Sequence, residues 1–186
     1  KPLVKVNGVP MIETVIKGLT KYDIDHIYVV VGYKKEQFSY LADIYPNLTL
    51  IENKEYDKKN NISSLKAVGD ILGSSDCFIC EADLLVSDYS IFDGKFDNSL
   101  YFGRMVKGYS DDWVFELNEE RISRVGKGGY DCYNMVGISY FKKEDARVIK
   151  ESILDEYNKD GHEKLFWDEI VEKEIENIYL KEKIFI

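Results

Sequence analysis

The carboxylates of Glu81 and Asp83 follow directly on an apolar stretch in the run Cys77-Phe78-Ile79-Cys80-Glu81-Ala82-Asp83-Leu84-Leu85. That stretch is β-branched and aromatic, and Gly73-Ser74-Ser75-Asp76 precedes it, so it predicts a buried strand whose carboxyl end opens onto a cleft. Ligands of open α/β sheets bind beyond the carboxyl ends of the strands, and a carboxylate there can hold a divalent cation against phosphate oxygens. Taken in isolation, the same acidic pair reads first as the cap of a loop or of the next helix.

Composition narrows the chemistry. With 25 Lys plus Arg against 34 Asp plus Glu, the net charge of -9 repels a long phosphate backbone, which argues against nucleic acid as a partner. A phosphorylated metabolite remains compatible if a lysine and a metal ion neutralise it locally, and an acidic protein suits a cationic ligand. No run approaches the roughly 20 apolar residues of a membrane span, and no signal segment opens the chain, so a cytoplasmic location with no membrane partner is expected. Cys77 and Cys80 form a C-x-x-C, but strand positions three apart point to opposite faces. They and Cys132 are read as small core hydrophobes, and His26 and His162, without partner spacing, as a strand-entry and a turn residue.

The elements around Asp83 alternate. An extended segment with a Gly-containing turn over Lys1 to Pro10 leads into a helix from Met11 to Tyr22, with Ile12, Val15, Ile16 and Leu19 on one stripe. A strand from His26 to Val31, a helix from Lys34 to Ile44, a strand from Leu48 to Ile51 and a helix from Ile62 to Leu72 follow. This rhythm predicts a parallel sheet covered by helices. Beyond Asp83 the short runs Leu100 to Val106, Trp113 to Leu117, Ile122 to Val125 and Met135 to Phe141 predict antiparallel pairs, with Gly126 to Gly129 as a mobile loop. Helices over Glu144 to Tyr157 and Lys164 to Glu174 and a strand from Asn177 to Leu180 complete one mixed-sheet α/β domain over residues 1–186. Because the chain starts at Lys1-Pro2, inside what reads as a loop leaving a central strand, an inner strand edge would lack its neighbour. A strand and a Gly-rich loop are expected ahead of Lys1 in the parent protein, unless a second copy in a homodimer supplies the pairing.

Several segments in this order resemble a known family. Lys1-Pro2-Leu3-Val4-Lys5-Val6-Asn7-Gly8-Val9-Pro10-Met11-Ile12-Glu13 resembles the second half of the signature of sugar-phosphate-type nucleotidyltransferases. Val30-Val31-Gly32-Tyr33-Lys34, Asn60-Asn61-Ile62-Ser63-Ser64-Leu65, Glu81-Ala82-Asp83 and Phe166-Trp167-Asp168 are most similar to the bacterial CTP:phosphocholine cytidylyltransferases. The resemblance implies a Rossmann-like, GT-A-like fold with a mixed, mostly parallel sheet between helices, here without its first strand and Gly-rich loop. It also implies Mg²⁺-dependent transfer of a cytidylyl group from CTP to phosphocholine, giving CDP-choline and pyrophosphate. Carried over by position, Lys1 neutralises phosphate charge, Asp83 and Asp168 are the catalytic and metal-binding aspartates, and Asn60, Asn61, Ser63 and Ser64, with Glu81 and Asp83, border the nucleotide. Amide groups at a helix start also suit a pyrimidine edge on physical grounds. In-line attack on the α-phosphorus needs positioning and charge stabilisation rather than a covalent intermediate, which explains the want of carboxylates, a lysine and Mg²⁺.

The implied cationic substrate calls for aromatic faces beside carboxylates. Asp112, Trp113, Tyr133 and Trp167 are the candidates, Trp113 because two acids precede it and Tyr133 because it follows the glycine-rich loop. Other readings stay open: a cytidylyltransferase for 2-aminoethylphosphonate or phosphoethanolamine, a GT-A-type glycosyltransferase, or a non-catalytic nucleotide-binding domain.

Overall fold

The computed structural model describes residues 1–22 and 24–184. They form two compact units, one from Lys1–Glu52 and Cys80–Phe96, the other from Asn53–Ile79 and Asp97 onward. None of the described helices is long and apolar enough to cross a membrane.

In the first unit, strands β1 (Lys5–Val6) and β2 (Val9–Pro10) pair antiparallel across Asn7-Gly8. Both turn residues have positive φ, 50° and 83°, the left-handed pair that a two-residue hairpin requires and that an Asn-Gly dipeptide supplies. Helix α1 (Met11–Lys21) buries Ile12, Val15, Ile16 and Leu19, the predicted stripe, with Pro10 just ahead of its first turn. Gly18 lets Phe92 lie against α1, since a Cβ there would come within 2.6 Å of the phenyl ring. Strands β3 (Ile27–Val31) and β4 (Leu48–Glu52) pair parallel in the register Ile27 with Leu48. The predicted helix between them is broken into a 3-10 turn (Lys35–Phe38) and helix α2 (Tyr40–Ile44). Lys34 sits at φ 53° and Leu41 is the sole buried residue of the two pieces, too little apolar surface to hold a continuous helix.

The second unit carries helix α3 (Ile62–Val68), followed by a 3-10 turn (Gly69–Ile71), and a sheet in the order β5 (Cys77–Cys80), β7 (Arg121–Phe141), β6 (Ser99–Asn118), β8 (Leu180–Ile184). The four short runs expected after Asp83 belong to the two long strands β6 and β7, which pair antiparallel through a series of register shifts. Val114 faces both Asn134 and Gly126, and Phe115 both Tyr133 and Val125, so the second half of β6 runs between two stretches of β7. Gly126 to Gly129 is therefore strand and not a loop: Lys127 pairs with Trp113 and Gly129 with Ser110. Backbone hydrogen bonding of this ribbon overrides the weak strand propensity of its glycines. Helices α4 (Lys143–Glu156) and α5 (Trp167–Lys173) press Ala146, Ile149, Ile153, Ile170 and Val171 into one core with Tyr101, Phe115 and Phe141. Strand β8 adds parallel to β6 from Leu180, three residues later than predicted, with Ile178 and Leu180 both packed into the core. The architecture is a mixed α/β fold with a larger antiparallel share than the alternation in the first half suggests.

Candidate active site

In the first unit, Asp83 sits in the turn that follows β5, half-buried, with Lys1 Nζ 3.8 Å from its Oδ2. The lysine side chain is 84% exposed, so the pair holds little net energy and both charges stay available to a ligand. The chain around them is fixed: Ile12 donates its N–H to Pro2 O at 3.0 Å, and Val86 N donates to the buried Thr14 Oγ1 at 3.0 Å. Glu81, immediately after β5, is exposed.

In the second unit, Asp168 occupies the first turn of α5 and is only 5% exposed. Its Oδ1 accepts the hydroxyl of Tyr101 at 2.8 Å. Burial first, and then the charge and hydrogen bond of Asp168, push the Tyr101 phenol far above its ordinary range, so it serves as a fixed donor. The start of α5 is held by Asn61, whose Oδ1 accepts the Trp167 N–H at 2.9 Å, and by Glu169, whose carboxylate accepts the Phe166 N–H at 2.7 Å. Asn60 donates its backbone N–H to Glu163 O at 2.8 Å and its Nδ2 to Lys164 O at 3.2 Å. Within the second unit, then, the Asn60 to Ser64 segment and Asp168 are tied together by the two asparagines. Ser63 is buried and Ser64 half-exposed.

The aromatic candidates divide. Trp113 meets Phe166 edge-on, ring centroids 5.3 Å apart, and both line a cavity of about 530 Å³ with the carboxylates of Glu169 and Glu172 and the ammonium groups of Lys127, Lys164 and Lys173. The Lys127 ammonium lies 4.8 Å from the Phe166 ring and 5.8 Å from the Trp113 ring. Glu172 accepts the Val125 N–H at 2.6 Å, which fixes its carboxylate at this wall. Tyr133 instead stacks on Phe115 at 5.3 Å and Trp167 packs against Tyr101 and Phe141, while exposed Asp112 accepts the N–H of its neighbour Trp113. None of these three lines the cavity. Phe166, Lys127, Glu169, Glu172 and Tyr101 have no mark in the sequence as site residues; only the place of Phe166 and Glu169 beside Trp167-Asp168 offered a signal. The thiol of Cys77 is pushed up to about 12 by burial and then by the charge of Asp76, in keeping with a packing rather than a redox role.

Residues 1–92 match the MobA-like NTP transferase domain, and the fold is that of Rossmann-like nucleotidyltransferases. A solved structure of the CTP:phosphocholine cytidylyltransferase of Streptococcus pneumoniae (LicC) superposes with a TM-score of 0.89 at 26% identity, covering 100% of this chain and 80% of that one. The 2-aminoethylphosphonate cytidylyltransferase of Lancefieldella rimae is 51% identical over 181 residues, 97% of this chain and 74% of its own. The choline-phosphate cytidylyltransferase of Haemophilus influenzae is 32% identical over 188 residues, 98% and 78% of the respective chains. The chain belongs to the family of CTP-dependent cytidylyltransferases within the nucleotidyltransferase superfamily.

Proposed function

We propose that this protein transfers the cytidylyl group of CTP to 2-aminoethylphosphonate. An oxygen of the phosphonate attacks the α-phosphorus, a new P–O bond forms there, and the bond to the leaving pyrophosphate breaks. The observation that carries the choice of acceptor is the 51% identity to an enzyme named for that substrate, against 32% to one named for choline phosphate. The cavity beside Trp113 carries both charges: the carboxylates of Glu169 and Glu172 and the rings of Trp113 and Phe166 suit an ammonium, Lys127, Lys164 and Lys173 suit a phosphonate, and the Lys127 ammonium lies over both rings. A primary ammonium donates three hydrogen bonds and gains from carboxylate acceptors, whereas a trimethylammonium donates none and relies on aromatic faces.

In this reading Lys1 neutralises phosphate charge, and Asn60, Asn61, Ser63, Ser64 and Glu81 border the nucleotide. Asp83 and Asp168 are each proposed as a ligand of Mg²⁺. Their hard oxygen donors fit this ion, which takes one or two carboxylates and completes its octahedron with water and phosphate oxygens. When bound, the ion supplies neutralising charge at the triphosphate. The reaction draws on cytoplasmic CTP.

Phosphocholine is the second reading, favoured by the 0.89 TM-score to an enzyme that acts on it. Pyrophosphate release with CTP and each of 2-aminoethylphosphonate, phosphoethanolamine and phosphocholine separates the two. The highest kcat/KM is expected for the phosphonate; a higher value for phosphocholine reverses the choice, and release of a nucleoside diphosphate in place of pyrophosphate withdraws the nucleotidyl-transfer reading.

A further inference from the structure

Asn53 is 4% exposed, a carboxamide buried away from water. Its polarity is fixed on both sides: Oδ1 accepts the Glu55 N–H at 2.9 Å, so Nδ2, which can only donate, faces the hydroxyls of Ser63 at 2.9 Å and Ser64 at 3.3 Å. Ser63 passes its own proton inward to Asn60 O at 2.7 Å. Ser64 differs. Its Oγ accepts from Asn53, it is half-exposed, and among the described residues its proton has no acceptor.

We propose that Asn53 is a positioning residue for base selection: by donating to Ser64 it makes that hydroxyl present a proton, and so favours a cytosine over a uracil ring. This rests on the reading above that Ser64 borders the nucleotide base. The two pyrimidines differ at N3, a bare acceptor in cytosine and an N–H donor in uracil. A Ser64 hydroxyl that already accepts from Asn53 is completed by donating to cytosine N3. Accepting a second time, from uracil N3–H, leaves the hydroxyl proton without a partner once the base covers it, a penalty that a cytosine ligand does not meet. Ser63, whose proton is committed to the backbone, buttresses the same amide without facing the ligand. A carboxylate at position 53 reverses the arrangement. It still accepts from Glu55 N–H but no longer donates, so Ser64 turns its proton inward and shows only lone pairs, the pattern that suits uracil.

The test is steady-state kinetics of the full chain with CTP and with UTP at saturating 2-aminoethylphosphonate, for wild type, Asn53→Asp and Ser64→Ala. Asn53→Asp is expected to lower the CTP-to-UTP ratio of kcat/KM by roughly tenfold or more, mainly through a raised KM for CTP and a lowered KM for UTP, with kcat for CTP less affected. A merely structural asparagine would weaken both nucleotides alike. Ser64→Ala removes a half-exposed hydroxyl, keeps the protein folded, and decides the matter if the buried carboxylate prevents folding; it too is expected to erode the ratio. A folded Asn53→Asp protein, or Ser64→Ala, that keeps the wild-type ratio overturns the role of Asn53 while leaving the cytidylyl-transfer reading intact. Wild type that uses neither nucleotide takes down both.

Discussion

The hydroxyl of Tyr101 on β6 donates to the buried carboxylate of Asp168 on α5 at 2.8 Å, across 67 residues of sequence. A buried carboxylate with a fixed donor on one oxygen keeps its orientation, a property a ligand of a hard cation needs. Tyr101→Phe removes the donor and leaves the ring. It is expected to cost about 1–3 kcal/mol in urea unfolding, as for a buried group left without its hydrogen-bond partner, and to lower kcat more than it raises KM for CTP. Unchanged unfolding and turnover would separate Asp168 from Tyr101 in function.

Asp83 gives the opposite balance. Its contact with Lys1 is solvent-exposed, so Asp83→Asn is expected to leave the thermal midpoint close to wild type. In the proposed role of Asp83 as an Mg²⁺ ligand, its loss should lower pyrophosphate release by a factor on the order of a hundred or more. Near-normal turnover would remove Asp83 from the site.

Trp113→Ala tests the cavity. In the proposed acceptor role, loss of one ring face is worth about 0.5–2 kcal/mol, so KM for 2-aminoethylphosphonate should rise severalfold while KM for CTP stays put. A parallel rise in both constants would mean that the tryptophan supports the sheet and not the acceptor.

The pH dependence of stability has a named contributor in Asp76. Burial pushes its carboxyl up, but hydrogen bonds from Lys142 Nζ, from the Lys143 N–H at the start of α4 and from Tyr140 outweigh this and hold it below the usual range. A carboxyl depressed in the folded state stabilises fully above its unfolded value of about 3.9, and that contribution is lost as the pH falls through the lower folded value. Urea midpoints between pH 6 and pH 2.5 should therefore drop on the acid side by more in wild type than in Asp76→Asn, the two curves converging at the acid end. Parallel curves would assign the acid sensitivity to other carboxylates.

Periodicity and punctuation along the chain sufficed for the stripe of α1, the parallel strands β3 and β4, the placement of β5 ahead of Glu81-Ala82-Asp83, and helix α4, because each is decided by residues a few positions apart. The order of Asn60-Asn61-Ile62-Ser63-Ser64, Asp83 and Phe166-Trp167-Asp168 likewise pointed to the cytidylyltransferases before any packing was known. What surrounds those residues was another matter. That Gly126 to Gly129 lies in a strand, that Phe166 and not Tyr133 partners Trp113, that Tyr101 holds Asp168, and that Asn53 sets the hydroxyl of Ser64 all follow from contacts between segments or from the burial of a polar group. Such contacts are chosen by how sheet and helices close over a common core, a competition among many side chains that no local window contains, and so only the tertiary structure could decide them.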